Sequence, residues 1–137
     1  MGRRTVLGAD TLPAAGVLLV SAARTATLTA AQLVDTEFGP PRSAVGITIR
    51  IDVSAIAATP SVVFTIQGWD EAANEWFDLL ASAAVTATGT TTLKVDPRIP
   101  AGANTVAQHG LVPRMRVAPV HGDADSITYS VSVFASN

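Results

Sequence analysis

The strongest constraint in this sequence is a strict alternation of apolar and polar residues between positions 45 and 53. Every second residue there is valine or isoleucine, and the residues between them are glycine, threonine, arginine and aspartate. A period of two places the β-branched side chains on one face of a strand, which is typical of a sheet with one buried and one solvated face. The apolar positions are Val45, Ile47, Ile49, Ile51 and Val53. The run therefore predicts a half-buried β-strand.

Similar runs recur along the chain, while helical periodicity is almost absent. Turn-forming clusters of Gly, Pro, Asn and Asp separate them at intervals of roughly 8–12 residues, which is typical of a sandwich or barrel. We also predict a short helix at 29–34 and a loop at 35–43. The further predicted strands are 61–69, 76–80, 91–95, 114–120 and 127–134, with weaker candidates at 16–22 and 24–29. The expected fold class is all-β: an antiparallel β-sandwich of about seven or eight strands, with a jelly roll as one arrangement, and an irregular N-terminal arm.

The length of 137 residues corresponds to one domain. The chain contains no internal repeat and no stretch with the composition of a linker. We assign residues 1–23 to an N-terminal arm or first strand, and residues 24–137 to a single β-sandwich domain.

Charge and cysteine content exclude several classes of protein. Charged residues make up only 15% of the chain, the net charge is −2 and there is a single lysine, so no global basic field would attract nucleic acid. Arg3 and Arg4 are the one adjacent basic pair, which is too little for binding by phosphate neutralisation. A transmembrane helix would need about 20 mostly apolar residues in a row. Without cysteine there is no disulfide and no thiolate metal site. We therefore predict neither nucleic acid nor a membrane as a partner.

Two acidic segments are the candidates for catalysis or metal binding. Residues 121–125 offer a histidine and two carboxylates, but a calcium loop needs more oxygen ligands and ends in a bidentate acid. A Gly-Asp turn is the favoured interpretation. The acids between residues 70 and 78 suggest the paired carboxylates of a glycosidase, but acids at a hairpin tip point into water, where little shifts their pKa. We predict that the protein is not an enzyme, with no catalytic residue, no cofactor and no metal.

Two tryptophans and two arginines are the most promising contacts for a partner. Trp69 and Trp76 flank a predicted hairpin turn, so they form either a cross-strand pair that sets the register or a platform on which a sugar or base stacks. Arg114 and Arg116 share one face of a predicted strand, where they meet either a partner's carboxylates or solvent. The predicted partner-contact residues are Arg3, Arg4, Trp69, Trp76, Arg114 and Arg116.

Two stretches of the sequence resemble a known family. The first is 59–97, with the segments LLASA and TGTT, and the second is 111–133, with the segment DADSITY. Both resemble a family of small structural proteins of tailed bacteriophages, which are described as minor capsid, decoration or virion structural proteins. The matching segments are strand and turn signatures without a catalytic residue, so the resemblance implies no active site. Residues before 44 take no clear part in it.

The resemblance implies a protein that binds the outside of the capsid, as a symmetric oligomer, and stabilises it. The expected partners are the major capsid protein and copies of the chain itself. The expected location is the capsid surface of the virion, after synthesis in the host cytoplasm. Two alternatives remain open: a tail, neck or connector component, and a carbohydrate-binding module for host adsorption with Trp69 and Trp76 as its platform.

Overall fold

The computed structural model describes residues 15–25 and 27–137, which form nine β-strands and one short helix. The helix α1 spans Ala30–Val34. Its start is capped by Thr29, whose hydroxyl accepts a hydrogen bond from the Gln32 amide at 3.3 Å, so the predicted helix is confirmed. The strands are β1 Ala15–Arg24, β2 Glu37–Phe38, β3 Gly46–Ile56, β4 Val62–Asp70, β5 Glu75–Ala81, β6 Gly89–Val95, β7 Val106–Ala107, β8 Met115–His121 and β9 Ile127–Ser136.

These strands form two facing sheets. The order is β1-β9-β3-β6-β7 in the five-stranded sheet and β2-β8-β4-β5 in the four-stranded sheet. All pairings are antiparallel except the short parallel pairing of β6 with β7. If the two-residue β7 is left out, eight strands remain, in which β8 is the seventh and β9 the eighth along the chain. The two sheets then have the strand orders 1-8-3-6 and 2-7-4-5. This order is that of a jelly roll. The predicted all-β sandwich is confirmed.

The core lies between the sheets and consists of the residues that alternate along the strands. Ile47, Ile49 and Ile51 of β3 are almost completely buried, and β3 pairs with both β6 and β9. Across the sandwich, the Phe64 ring of β4 meets the Tyr129 ring of β9 edge-on, with 5.0 Å between centroids. Each buried side chain of this size contributes about 1.5–3 kcal/mol. The alternation in the sequence therefore supplies the contacts that hold the two layers together.

Most of the predicted strands match strands of the structure. The predictions at 45–53, 61–69, 76–80, 91–95, 114–120 and 127–134 correspond to β3, β4, β5, β6, β8 and β9. The weaker candidate at 16–22 lies within β1. The candidate strand at 24–29 is wrong. β1 ends at Arg24, and Thr29 is the N-cap residue of α1.

Two strands of two residues each are not predicted from the sequence. β2 lies inside the predicted loop at 35–43 and pairs with β8. β7 pairs with the end of β6. A strand of two residues has no periodicity that a sequence pattern could reveal. β2 nevertheless forms one edge of the four-stranded sheet and places an acidic residue beside β8.

β1 forms one edge of the five-stranded sheet and is irregular. Its register against β9 shifts between Val17 and Leu19, and again between Leu19 and Ala22. A bulge adds one residue to a strand, so two successive side chains can face the same side. This explains why the neighbours Leu18 and Leu19 are both buried. Residues 1–14 of the expected N-terminal arm lie outside the described residues.

The first residue of β3 packs on a buried carboxylate. Asp96, just after β6, accepts hydrogen bonds from Arg98 Nε at 3.0 Å and from Arg98 Nη2 at 2.7 Å. These bonds, with one from the Arg98 amide, lower the pKa of Asp96 to about 2. A Cβ atom on Gly46 would lie 2.6 Å from Cγ of Asp96. Only glycine fits beside a carboxylate that is held in this way.

We expect Gly46→Ala to lower the free energy of unfolding by about 1–3 kcal/mol, because the added methyl group overlaps the Asp96 carboxylate. Urea unfolding measures the change. Gly110→Ala is the matched control, because an added Cβ there meets no atom within 4 Å, and it should change stability by no more than about 0.5 kcal/mol. Equal stabilities of the two variants would contradict this account of the packing.

Candidate functional site

The outward face of the four-stranded sheet brings together four of the six predicted contact residues. In the sheet register, Arg116 of β8 lies opposite Gln67 of β4, and Trp69 of β4 lies opposite Trp76 of β5. Arg114 precedes β8, and its carbonyl accepts a hydrogen bond from the Trp69 amide at 2.9 Å. We call the surface formed by Trp69, Trp76, Arg114 and Arg116 the Arg–Trp face.

Trp69 and Trp76 form a cross-strand pair at the end of the hairpin. Their ring centroids lie 5.2 Å apart and their planes meet at 66°, which is an edge-to-face arrangement. Aromatic pairs of this geometry contribute about 0.5–1.5 kcal/mol beyond the area they bury. The register of β4 against β5 places the two residues directly opposite each other. The two tryptophans thus form the cross-strand pair that was one of the two interpretations from the sequence.

Both arginines of the face lie against these rings. The Arg114 guanidinium carbon is 4.7 Å from the Trp69 ring centroid and 5.2 Å from the Trp76 centroid. The Arg116 guanidinium carbon is 4.1 Å from the Trp76 centroid. Cations at these distances are attracted by the negative face of the indole ring. The two side chains therefore extend across β4 toward β5 and lie against the two indole rings.

Arg114 is also paired with a buried acid. Its Nε donates to Oε1 of Glu37 at 2.8 Å, and the Glu37 side chain is only 3% exposed. This hydrogen bond raises the pKa of Arg114, and the nearby charge of Glu71 adds a smaller contribution. Removing the arginine would leave the Glu37 carboxylate buried without a counter-charge, which is strongly destabilising in proteins.

Arg116 has no such acid. Its Nε donates to Oε1 of Gln67 at 2.8 Å, and Nε2 of the same amide donates to Oδ1 of Asp78 at 2.9 Å. Within the described part of the chain, Arg116 forms no ion pair. Burial lowers the pKa of Arg116, the Glu37 charge opposes this shift, and the neighbouring Arg114 charge adds to it. On the Arg–Trp face, Arg114 is therefore paired directly with the Glu37 carboxylate, and Arg116 is linked to the Asp78 carboxylate through the Gln67 amide.

The structure adds Glu37 and Gln67 to the predicted set. Gln67 is an outward polar residue of a predicted strand, so its place beside Arg116 follows once β4 is paired with β8. Glu37 lies in a predicted loop and is 77 residues from Arg114 in sequence, so no local pattern indicates the contact. Arg3 and Arg4 lie outside the described residues.

Carboxylates of the two acidic segments that were candidates for catalysis or metal binding accept hydrogen bonds from backbone amides. Asp123 accepts a hydrogen bond from the Asp125 amide at 3.0 Å, and Asp125 accepts one from the Thr59 amide at 3.1 Å. Asp70 likewise accepts bonds from two amides of its own turn. Residues 71–74 form a turn, whereas Asp125 bonds across to the loop before β4. In the residues that the structure covers, no group of three or more His, Asp or Glu side chains is placed to hold a metal ion.

A second polar cluster forms where His121, at the end of β8, meets the buried Tyr129 of β9. The His121 Nε2 atom is 3.1 Å from the Tyr129 hydroxyl, and Nδ1 is buried with no hydrogen-bond partner in the described chain. The Arg24 guanidinium carbon lies 4.6 Å above the Tyr129 ring. Burial raises the pKa of Tyr129 to about 12. Burial also lowers the pKa of His121, with Arg24 acting in the same direction and Asp123 opposing both. The fold therefore favours the neutral imidazole.

This cluster predicts a loss of stability in mild acid. The unfolded chain takes up a proton on His121 near its ordinary pKa of about 6.5, whereas the folded chain does so only at lower pH. The free energy of unfolding should therefore fall as the pH drops below about 6.5.

Urea unfolding between about pH 5 and pH 7.5 tests this dependence. His121→Gln keeps a polar side chain of similar reach but cannot be protonated, so its pH profile should be flatter than that of the wild type. His109→Gln, in an exposed loop, is the matched control. An identical pH profile for His121→Gln and the wild type would contradict the role assigned to His121.

Comparison with family models, with curated proteins and with solved structures gives no match. Among the described residues there is no helix long and apolar enough to cross a membrane. The resemblance to small virion proteins therefore stays a prediction from the sequence. The Arg–Trp face and the exposed edge of β1 are the surface features from which a function can be argued.

Proposed function

We propose that this protein is a non-enzymatic structural component of a bacteriophage virion. It acts as a capsid decoration or minor capsid protein that binds the outer surface of the head and stabilises it. Its partners are the major capsid protein and further copies of itself, and its place is the capsid surface after synthesis in the host cytoplasm. The segments 59–97 and 111–133, which carry the sequence resemblance, supply most of β4, β5, β6, β8 and β9.

The observation that carries the proposal is the long, nearly uncharged edge of the five-stranded sheet. β1 has ten residues, and Arg24 at its end is its only charge. Val17 is 63% exposed and Val20 is 71% exposed. An edge strand without a partner is usually kept short or protected by charges, proline or bulges. β1 has bulges, and the Arg24 guanidinium bonds to the carbonyls of Val20 and Ala22. The part of β1 before Val20 has neither charge nor proline, so it suits the addition of a strand from another subunit.

The other edges of the two described sheets are less suited to this role. β2 and β7 have two residues each. β5 carries Glu75 and Asp78, and Asn104 donates a hydrogen bond to the carbonyl of Ala81 at its end. A groove of about 320 Å³ also lies beside β1, lined in part by Val17 and Val20. Space and apolar surface therefore occur together at β1.

The jelly roll supports the same function by analogy, because this architecture is common in viral capsid domains. Lectin domains share it, and a fold alone does not determine a function. A sugar platform would need open faces on Trp69 and Trp76. Guanidinium groups lie against these rings, and the rings meet at 66°. The geometry therefore favours the head protein over the carbohydrate-binding alternative.

Stripping this protein from purified particles tests the proposal. We expect stripped particles to lose resistance to heat or mechanical stress, and to regain it when the purified protein is added back. Unchanged resistance would overturn the stabilising role. A copy number close to that of the major capsid protein supports the head location, whereas a copy number equal to the symmetry of the neck or tail supports the tail, neck or connector alternative.

A variant of β1 tests the docking edge. Val20→Lys should weaken binding to stripped particles by about tenfold or more, because a lysine on a pairing edge opposes strand addition. Ile56→Lys is the matched control, since Ile56 is 39% exposed at the far end of β3, and it should bind like the wild type. Thermal unfolding checks that both variants are folded. Wild-type binding by Val20→Lys would exclude β1 as the docking edge.

A further inference from the structure

The side chain of Arg24 holds the second irregularity of β1 in place. Where β1 approaches Tyr129 of β9, its register shifts, because β1 contains one residue more than β9 between consecutive pairs. Nη1 of Arg24 donates to the carbonyls of Ala22, at 3.1 Å, and Tyr129, at 2.7 Å. Nη2 donates to the Val20 carbonyl at 2.9 Å. Because a bulge interrupts the ladder between two strands, these bonds help to hold the last part of β1 on β9.

The same guanidinium shares an aromatic ring with His121. Its carbon lies 4.6 Å from the Tyr129 ring centroid, and the hydroxyl of that ring is 3.1 Å from Nε2 of His121. The imidazole and phenol centroids are 5.9 Å apart. Tyr129 is fully buried, and Arg24 forms no ion pair with an acid of the described chain. A charge on His121 would therefore add a second cation to a ring that already carries one.

The surroundings of His121 disfavour its charged form. Burial and the Arg24 charge oppose a proton on the imidazole, whereas the Asp123 charge favours one. Both ring nitrogens are donors in the charged form, and Nδ1 is buried with no hydrogen-bond partner among the described residues. The residues beside His121 in the neighbouring elements are Arg24 of β1, Tyr129 of β9, Val62 of β4, Thr27 before α1 and Asp123 in the turn after β8.

β1 is the strand of this cluster that separates most easily from its sheet. It is an edge strand that pairs with β9 alone, and its register is irregular. β8 and β9 each pair with two strands. Local opening costs least where an element has few partners. A repulsion between His121 and Arg24 is therefore relieved most readily by movement of the end of β1.

We propose that His121 is a pH switch for β1. In mild acid the charged imidazole displaces the Arg24 guanidinium from the bulge, and the last part of β1 separates from β9. The part of β1 before Val20, which is the proposed docking edge, is then no longer fixed at this end, and docking weakens because strand addition needs an ordered edge. This inference names the regulation of the proposed docking edge and rests on the proposed function for that last step alone.

Hydrogen exchange of the isolated protein, read by mass spectrometry and corrected for the intrinsic effect of pH, tests the switch. The peptide that covers β1 reports local opening, and a peptide of β3 reports global unfolding. The opening constant of β1 should exceed that of β3 at both pH values and rise about three- to tenfold between about pH 7.5 and pH 5.5. The rise is expected because the open form takes up a proton near the ordinary pKa of histidine, and the closed form only at lower pH.

Variants of the cluster identify the groups responsible. His121→Gln should abolish the rise, because glutamine takes up no proton, while His109→Gln in an exposed loop is the matched control and should respond like the wild type. Asp123→Asn should move the rise to lower pH, because it removes the acid that favours the charged imidazole. Its amide oxygen can still accept the bond from the Asp125 amide. Arg24→Gln should leave β1 exchanging rapidly at both pH values, because the bulge loses its guanidinium.

Thermal unfolding checks that every variant is folded. The inference is overturned if β1 of the wild type opens no more often than β3, since the strand then separates only when the whole chain unfolds. It is also overturned if the local opening of β1 does not increase in acid, or if His121→Gln keeps the full increase. An unchanged midpoint in Asp123→Asn would overturn His121 as the titrating group.

Binding to stripped particles at the same two pH values separates this inference from the proposed function. Wild-type binding should weaken about threefold or more in acid, whereas binding by His121→Gln should not depend on pH. A chain whose β1 opens in acid but that binds no particle at either pH overturns the head assignment and leaves the switch intact. A chain that restores particles but whose β1 does not respond to pH overturns the switch and leaves the head assignment intact. Equal binding at both pH values by a chain whose β1 opens would overturn the regulation of docking.

Discussion

The structure depends on the two-sided pairing of β3. Its alternate isoleucines are buried between the sheets, while Thr48, Arg50 and Asp52 point away from the core. A slip of one residue against β6 or β9 would exchange these two sets and bury two charges. The register of three strands is therefore fixed by one alternating run. Once it is set, the positions of β1 and β7 at the two edges of the sheet follow from their pairing with β9 and β6.

Much of this fold is predicted from the sequence, and the parts that are not predicted have a common cause. Period-two runs identify the long strands, and the spacing of Trp69 and Trp76 predicts their pairing across a hairpin. The hairpin pairing is local, because the two residues are close in sequence. In contrast, the pairing of β8 with β4 and β2 joins segments that are far apart along the chain. The packing of Arg114 against the tryptophans and its bond to Glu37 arise only from that pairing, so no local pattern contains them.

Two buried acids of this chain are each neutralised by one arginine. Asp96 and Glu37 have side chains that are nearly inaccessible, and each is bonded to an arginine that is about half exposed. Each arginine bonds to the acid while about half of its side chain stays exposed to solvent, which reduces the cost of burying the carboxylate. Low overall charge and buried ion pairs are therefore compatible in this sandwich. Exposed apolar side chains also occur on the surface, and Val17 and Val20 of β1 are the most exposed of the large ones in the described residues.

The position of the two tryptophans has an optical consequence. The chain contains two tryptophans and one tyrosine. Both indoles lie on the outward face of one sheet, in contact with each other and with guanidinium groups, whereas the tyrosine is buried in the core. Ultraviolet emission excited selectively from tryptophan therefore arises from a single patch of about one hairpin's width. Its wavelength and intensity describe the solvent and charge at that patch, so the protein carries its own local fluorophore for that face.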